Sequence, residues 1–136
     1  MKKIYFSCSI TGGRNDEAIY TALVDDLLAR GHAVLTAHLA RRGVAALEQG
    51  VDARAVFQRD LAWVKACDML VAEVSTPSHG VGYEIALTLR KPVLCLYRQG
   101  ARVSKMITGN DAPTLTVTAY PDPAGALDVV RRFLSA

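Results

Sequence analysis

Residues 68–84 read D-M-L-V-A-E-V-S-T-P-S-H-G-V-G-Y-E, and the order of residue types in that run decides the fold. Residues 69–74, Glu73 apart, are apolar and partly β-branched, the composition of a strand buried on both faces. Ser75-Thr76-Pro77-Ser78 ends it, because Pro77 has no N–H to give to a ladder. Gly80 and Gly82 let the backbone turn and come close to something. From Val81 onward, V-G-Y-E-I-A-L-T-L-R is helical in pattern, with Val81, Ile85 and Leu89 four apart on one face. Glu84 is thereby predicted in the first turn of a helix, just past the carboxyl end of a central strand. In open α/β sheets ligands bind in that crevice, so Glu84 is a candidate functional carboxylate.

Upstream, residues 3–8 are a first strand and residues 9–16, S-I-T-G-G-R-N-D, a Gly-rich turn with Asn15 or Asp16 as the next N-cap. Residues 17–30 make an amphipathic helix with Ile19, Leu23, Leu27 and Leu28 near one face, ended by Gly31 at C′. Residues 33–36 are a short second strand. Residues 37–50 leave two readings open, a short helix within 39–49 or a loop. Residues 53–66 are a helix capped by Asp52, with Val56, Leu61 and Val64 inward. Downstream, Lys91-Pro92 opens a strand over 93–97, and residues 103–107 form about one helical turn. Residues 115–119 are a fifth strand rich in Thr and Val, and 124–134 a closing helix. Strands alternating with helices argue for an α/β fold, a five-stranded parallel sheet with helices on both faces. The expected order is flavodoxin-like (Rossmann-like), 2-1-3-4-5, with the switch point between strands one and three. The loop at 9–14 then lies beside the loop at 78–84. Residues 1–136 are read as one domain.

The totals set limits on function. With 136 residues there is length for a single core. Apolar residues make up 51% and charged residues 21%, a soluble globular profile. The net charge of +3 comes without a Lys/Arg run, which disfavours a nucleic-acid face. No apolar run of ~18 residues is present, so no membrane span is expected. M-K-K-I-Y-F leads straight into a strand, with no apolar leader segment, so the expected location is cytoplasmic. Cys8, Cys67 and Cys95 lack metal or redox spacing and read as buried thiols.

The loop S-I-T-G-G-R-N lacks the third glycine of a dinucleotide fingerprint and the G-K-[ST] of a Walker A, so no cofactor is expected. It nevertheless follows a strand and opens a helix, so its backbone N–H groups suit an anion, with Ser9, Thr11 and Arg14 as added donors. The other reading is a plain βα turn. In S-T-P-S-H-G-V-G-Y-E, Ser78 aims a hydroxyl at the same crevice, while His79 is read as a solvated loop histidine or a base. Asp60, in F-Q-R-D-L-A-W-V, is either a surface charge pairing with Arg59 or Lys65 or a second carboxylate facing Glu84. Two carboxyl groups about 5 Å apart, one a nucleophile and one an acid, are what retaining glycosyl chemistry needs. His32, His38 and His79 lack metal-ligand spacing, so no metal is expected. Trp63 and Tyr20 are more often core or core-edge aromatics than base-stacking platforms, a reading kept here for Trp63.

Four stretches together, I-Y-F-S-C-S-I-T-G-G-R, R-D-L-A-W-V, V-A-E-V-S-T-P-S-H-G-V-G-Y-E and K-P-V-L-C-L-Y-R-Q-G-A-R-V-S-K-M-I, resemble the 2′-deoxynucleoside 5′-monophosphate N-hydrolases. These belong to the nucleoside deoxyribosyltransferase-like superfamily. The resemblance spans nearly the whole chain, and S-x-G-V-G-Y-E is its most specific piece. It implies cleavage of a deoxynucleotide into free base and 2-deoxyribose 5-phosphate. It implies Glu84 as the nucleophile, forming a deoxyribosyl ester, Asp60 as the group that assists the leaving base, and Tyr5 as a support for the nucleophile. Ser9 and Ser78, with amides of Gly12 and Gly13, would hold the 5′-phosphate, within a substrate-binding set that also takes in Cys8, Thr11, Arg14 and Gly80. Ile10 would press on the sugar near C2′. Tyr20 and His38 would edge the base pocket. Ser104, in the turn with Lys105 and Met106, would reach the phosphate of a neighbouring subunit, so a homodimer is implied.

Three positions depart from the family pattern. Thr11 stands where an arginine is common, leaving one charged donor fewer to the phosphate, a bond contributing on the order of 1.5–3 kcal/mol. The segment from Arg102 to Ser104 is shorter, and His79 replaces a residue that is commonly apolar. Independently of the resemblance, a carboxylate suits an oxocarbenium-like centre, and a helix N-terminus would keep Glu84 ionised. The rival readings are a deoxyribosyltransferase, which hands the sugar to a second base, and a non-catalytic nucleotide sensor.

Overall fold

Five strands, β1 (Lys3–Ser7), β2 (Ala33–Val34), β3 (Met69–Glu73), β4 (Val93–Arg98) and β5 (Leu115–Tyr120), pair in parallel in the order β2-β1-β3-β4-β5. This is the predicted order. The computed structural model describes every residue except Thr11, Gly12, Arg14 and Arg42. Along the centre of the sheet Tyr5 pairs with Leu70 and Ser7 with Ala72, then Leu70 with Val93 and Ala72 with Cys95.

Alternation along the strands divides the core into two. Ile4, Phe6, Met69, Val71, Leu94 and Leu96 face helices α1 (Glu17–Ala29) and α6 (Pro123–Ser135), meeting Tyr20, Leu23, Val24, Leu27, Val129 and Val130. Tyr5, Leu70, Ala72, Val93 and Cys95 face the other way, toward Val64 of α3 (Ala53–Ala66) and Val81 and Ile85 of α4 (His79–Thr88). Strands buried on both sides favour apolar residues on both faces, which is why β3 reads as an apolar run up to Glu73.

Several boundaries and faces differ from expectation. In α1 the buried side is Tyr20, Leu23, Val24 and Leu27, while Leu28 is exposed, because a 100° step per residue carries position 28 off the stripe. Asp16 occupies the N-cap position but makes no capping bond. Its carboxylate instead accepts from Thr76 Oγ1 at 3.1 Å and from Arg98. Gly31 does end α1, at φ +85. Asp52 does cap α3, accepting from Ala55 N at 3.2 Å. Residues 37–50 contain both a 3-10 turn (Ala37–Ala40) and the short helix α2 (Val44–Gln49). Strand β2 is only two residues long because Thr36 continues the edge with its side chain: Phe6 N donates to Thr36 Oγ1 at 2.9 Å, and that hydroxyl donates to Phe6 O at 2.7 Å. The turn predicted at 103–107 is α5 (Lys105–Thr108), capped by Ser104. Among the described residues no helix is long and apolar enough to cross a membrane.

Candidate active site

Helix α4 starts at His79, two residues earlier than the apolar spacing indicates, with Ser78 as its N-cap accepting from Val81 N at 3.3 Å. Glu84 is therefore in the second turn, not the first. Its carboxyl is set by burial instead of by the helix end. Burial raises it from 4.5 to about 7, so Glu84 gives up its proton less readily than the ionised group expected from a helix N-terminus. Ser7, at the end of β1, donates its hydroxyl to Glu84 Oε1 at 3.2 Å. Ser7 is 2% exposed.

Glu84 borders a cavity of about 880 Å³ between α2, α3, α4 and the end of β1. Of the predicted residues, Cys8, Ile10, Asp60, Ser78, Gly80 and Glu84 line it. Val51, Val56, Phe57, Leu61, Tyr83 and Leu87 add apolar and aromatic wall. Val56 and Leu61 are half-buried, so the inward side of α3 faces this space as much as the core. Asp60 and Glu84, from neighbouring helices, thus share one cavity. Asp60 also makes the pairing considered for a surface charge: Arg59 Nε donates to its Oδ1 at 2.8 Å. Arg59 Nη1 lies 2.9 Å from Glu48 Oε1, and its guanidinium covers Trp63 at 4.9 Å from the ring centroid. Glu48 Oε2 and Arg59 Nη2 are shut from solvent and have no hydrogen-bond partner among the described residues.

Other predicted residues fall elsewhere. Tyr5 is fully buried under α3 and α4, two residues before Ser7 on the same face, and its hydroxyl has no hydrogen-bond partner among the described residues. The contact to Glu84 belongs to Ser7, which the sequence reading passed over as an ordinary strand residue. Tyr20 lies across the sheet, edge-on to Phe6 at 6.3 Å, and is core instead of pocket wall. His38 stands behind the cavity wall, 3.4 Å from Glu48 Oε1 and edge-on to Trp63. Ser9 is fully buried. Gly13, at φ +130, lies close beneath Thr76, which brings the first loop against the β3–α4 loop. Thr11, Gly12 and Arg14 lie outside the described residues. Cys8, Cys67 and Cys95 are all buried, and none is in a disulfide among the described residues.

Ser104 Oγ accepts from Met106 N at 3.1 Å. It lines a second cavity of about 390 Å³ with Ser78, His79, Arg102 and Met106. Ser78 borders both cavities. Lys105 and Met106 are exposed, Met106 at 83%.

A second polar cluster at this end of the sheet was not foreseen. Glu73 is fully buried and accepts from Ser75 N and Ser75 Oγ, each at 2.8 Å, and from the Tyr120 hydroxyl. Burial raises its carboxyl while the three donors oppose that shift. Arg98 N donates to Ser75 Oγ at 2.8 Å. The loops after β1, β3 and β4 are thus tied by Asp16, Thr76, Ser75 and Arg98.

A doubly wound sheet with two carboxyl groups in a cavity at its switch point is a setting for nucleotide or sugar chemistry. The chain belongs to the nucleoside 2-deoxyribosyltransferase family, which matches residues 4–117. A Mus musculus protein named 5-hydroxymethyl-dUMP N-hydrolase is 48% identical over 115 residues, 78% of this chain and 64% of that one. A Methanosarcina barkeri protein, provisionally named 2′-deoxynucleoside 5′-phosphate N-hydrolase 1, is 40% identical over 136 residues, 98% of this chain and 86% of that one. Among solved structures, a Clostridium botulinum CMP N-glycosidase superposes with a TM-score of 0.74 at 15% identity, covering 97% of this chain and 99% of that one. The last shares the fold.

Proposed function

We propose that this chain is a nucleotide N-glycosidase that hydrolyses 2′-deoxynucleoside 5′-monophosphates to free base and 2-deoxyribose 5-phosphate. The observation that carries the reading is Glu84 and Asp60 bordering one cavity in unlike settings, Glu84 buried beside a hydroxyl and Asp60 against a guanidinium. The relatives' names support the same bond and substrate class. In the proposed course, ionised Glu84 attacks C1′ as the C1′–N bond breaks, giving a deoxyribosyl ester, while the departing base takes a proton from a water that Asp60 orients. The hydroxide so formed attacks C1′ and frees the Glu84 carboxylate. Ser78 and Ser9, with the first Gly-rich loop, would take the phosphate. Ile10, on the cavity wall, would leave a 2′-hydroxyl unpaired, which costs ~1–3 kcal/mol.

The test is a panel of deoxy- and ribonucleoside monophosphates scored chromatographically for free base. Deoxynucleotides are expected to be hydrolysed at least tenfold faster than their ribo counterparts, and Glu84→Gln to lower kcat by roughly a thousandfold or more. Equal kcat/KM for the two sugars, or base exchange without net hydrolysis, would overturn this reading.

A further inference from the structure

We propose that Ser7 is the positioning residue of the nucleophile, holding one oxygen of Glu84 so that the other is presented to the substrate. This rests on the assignment of Glu84 above and adds the residue that aims it. Ser7 ends β1 at the switch point, where it pairs with Ala72 of β3, the central strand. A side chain at that place is anchored by the pairing with β3 on one side and, through Phe6, by the Thr36 hydroxyl on the other. Its hydroxyl is buried and its contact is Glu84 Oε1 at 3.2 Å. Glu84 comes from a helix, so without such a contact its carboxyl could turn about its last bond and spread attack over many orientations. With Oε1 held, Oε2 is the attacking atom.

The neighbouring groups do not replace this contact. Tyr5, the aromatic hydroxyl on the same strand face, is buried with no hydrogen-bond partner among the described residues. Cys8 follows Ser7 but accepts no such role, since its thiol donates to Leu39 O at 3.6 Å. From α2 and α3, Glu48, Arg59 and Asp60 border the same cavity, and these three are engaged with one another. Burial raises the pKa of Glu84. A donor to a carboxylate favours its charged form, so Ser7 opposes that rise. It keeps a larger share of Glu84 ready to attack at neutral pH.

The experiment compares Ser7→Ala, Ser7→Cys and Ser7→Thr with wild type in two measurements. One is the titration of the Glu84 carboxyl by carbon NMR in the substrate-free protein. The other is kcat and KM for release of base from a deoxynucleoside monophosphate. Ser7→Ala is expected to move the Glu84 midpoint up by about half a pH unit or more. It is also expected to lower kcat about tenfold or more with KM within about twofold of wild type. Ser7→Cys, a weak donor of nearly the same shape, should behave as Ser7→Ala, and Ser7→Thr should restore most of both properties. A midpoint that stays put overturns the proposal, whether turnover falls or not, because then the hydroxyl does not act on the carboxyl. A midpoint that moves while kcat is unchanged overturns it too, since the contact would then play no part in the reaction. If wild type hydrolyses no deoxynucleotide, the assigned activity fails, while the midpoints still decide whether Ser7 holds Glu84.

Discussion

Glu84 illustrates how burial couples reactivity to stability in one side chain. Its folded-state value of about 7 exceeds the ordinary 4.5, so the folded protein holds this proton more tightly than the unfolded chain does. That contribution to stability is fully present below about pH 4.5 and is lost as pH rises through about 7. The carboxyl borders an open cavity, which screens it, so the loss at pH 8 is on the order of 1–3 kcal/mol. Glu84→Gln removes the charge and keeps an acceptor for Ser7. The variant should therefore melt higher than wild type at pH 8 and at nearly the same temperature at pH 4, while losing turnover. A calorimetric scan at the two pH values checks this. For wild type, kcat/KM should fall on the acid side of about pH 7, because attack needs the ionised form. At this scale the sequence was only partly legible. Glu84 stood out because a charged residue follows a Gly-rich loop after an apolar strand. Ser7 did not, because one small hydroxyl in a strand carries no pattern. Tyr20 packs in the core, as its residue pattern alone suggests, and its place at the base pocket rested on the resemblance.

The helices and loops show where periodicity is enough and where it fails. α1 and the five strands were visible from spacing, since each buries a stripe or a whole run against a sheet. The start of α4 was missed by two residues because Ser78 caps it and its first turn carries His79 and Gly80 instead of apolar residues. Glu73 was invisible inside D-M-L-V-A-E-V, as one acidic residue does not break an apolar run. Yet it organises the β3–α4 loop through Ser75 and reaches β5 through Tyr120. Tyr120→Phe removes one of three donors to a buried carboxyl and should cost ~1–3 kcal/mol of unfolding free energy, read from a urea titration. By contrast, Arg131, which pairs with Asp26 across α1 and α6, is at the surface. Arg131→Ala should change stability by less than about 1 kcal/mol.

For the whole molecule, the sheet order was legible because connection rules leave few arrangements of five strands alternating with helices. Whether two copies share a site was not, since one chain's sequence records no interface. Ser104 and Ser78 line one cavity within a single chain, so Ser104 can serve its own site or a partner's. In the homodimer that the resemblance implies, it would cross. Glu84→Ala and Ser104→Glu subunits, each nearly inactive alone, should then regain activity when mixed. One site of each mixed dimer collects both lesions and the other collects neither. If Ser104 serves its own subunit, mixing restores nothing, and the steady-state rate of the mixture is the measurement.

The cavity beside Glu84 has a thermodynamic consequence as well. At about 880 Å³ it holds on the order of 30 waters in solution, at ~30 Å³ each. Val51, Val56, Phe57, Leu61 and Leu87 supply much of its wall. A nucleotide entering it expels much of that water from apolar surface, so association should carry a negative heat-capacity change. Its enthalpy then becomes more favourable on warming while the affinity shifts far less, and calorimetry at three temperatures would trace that slope.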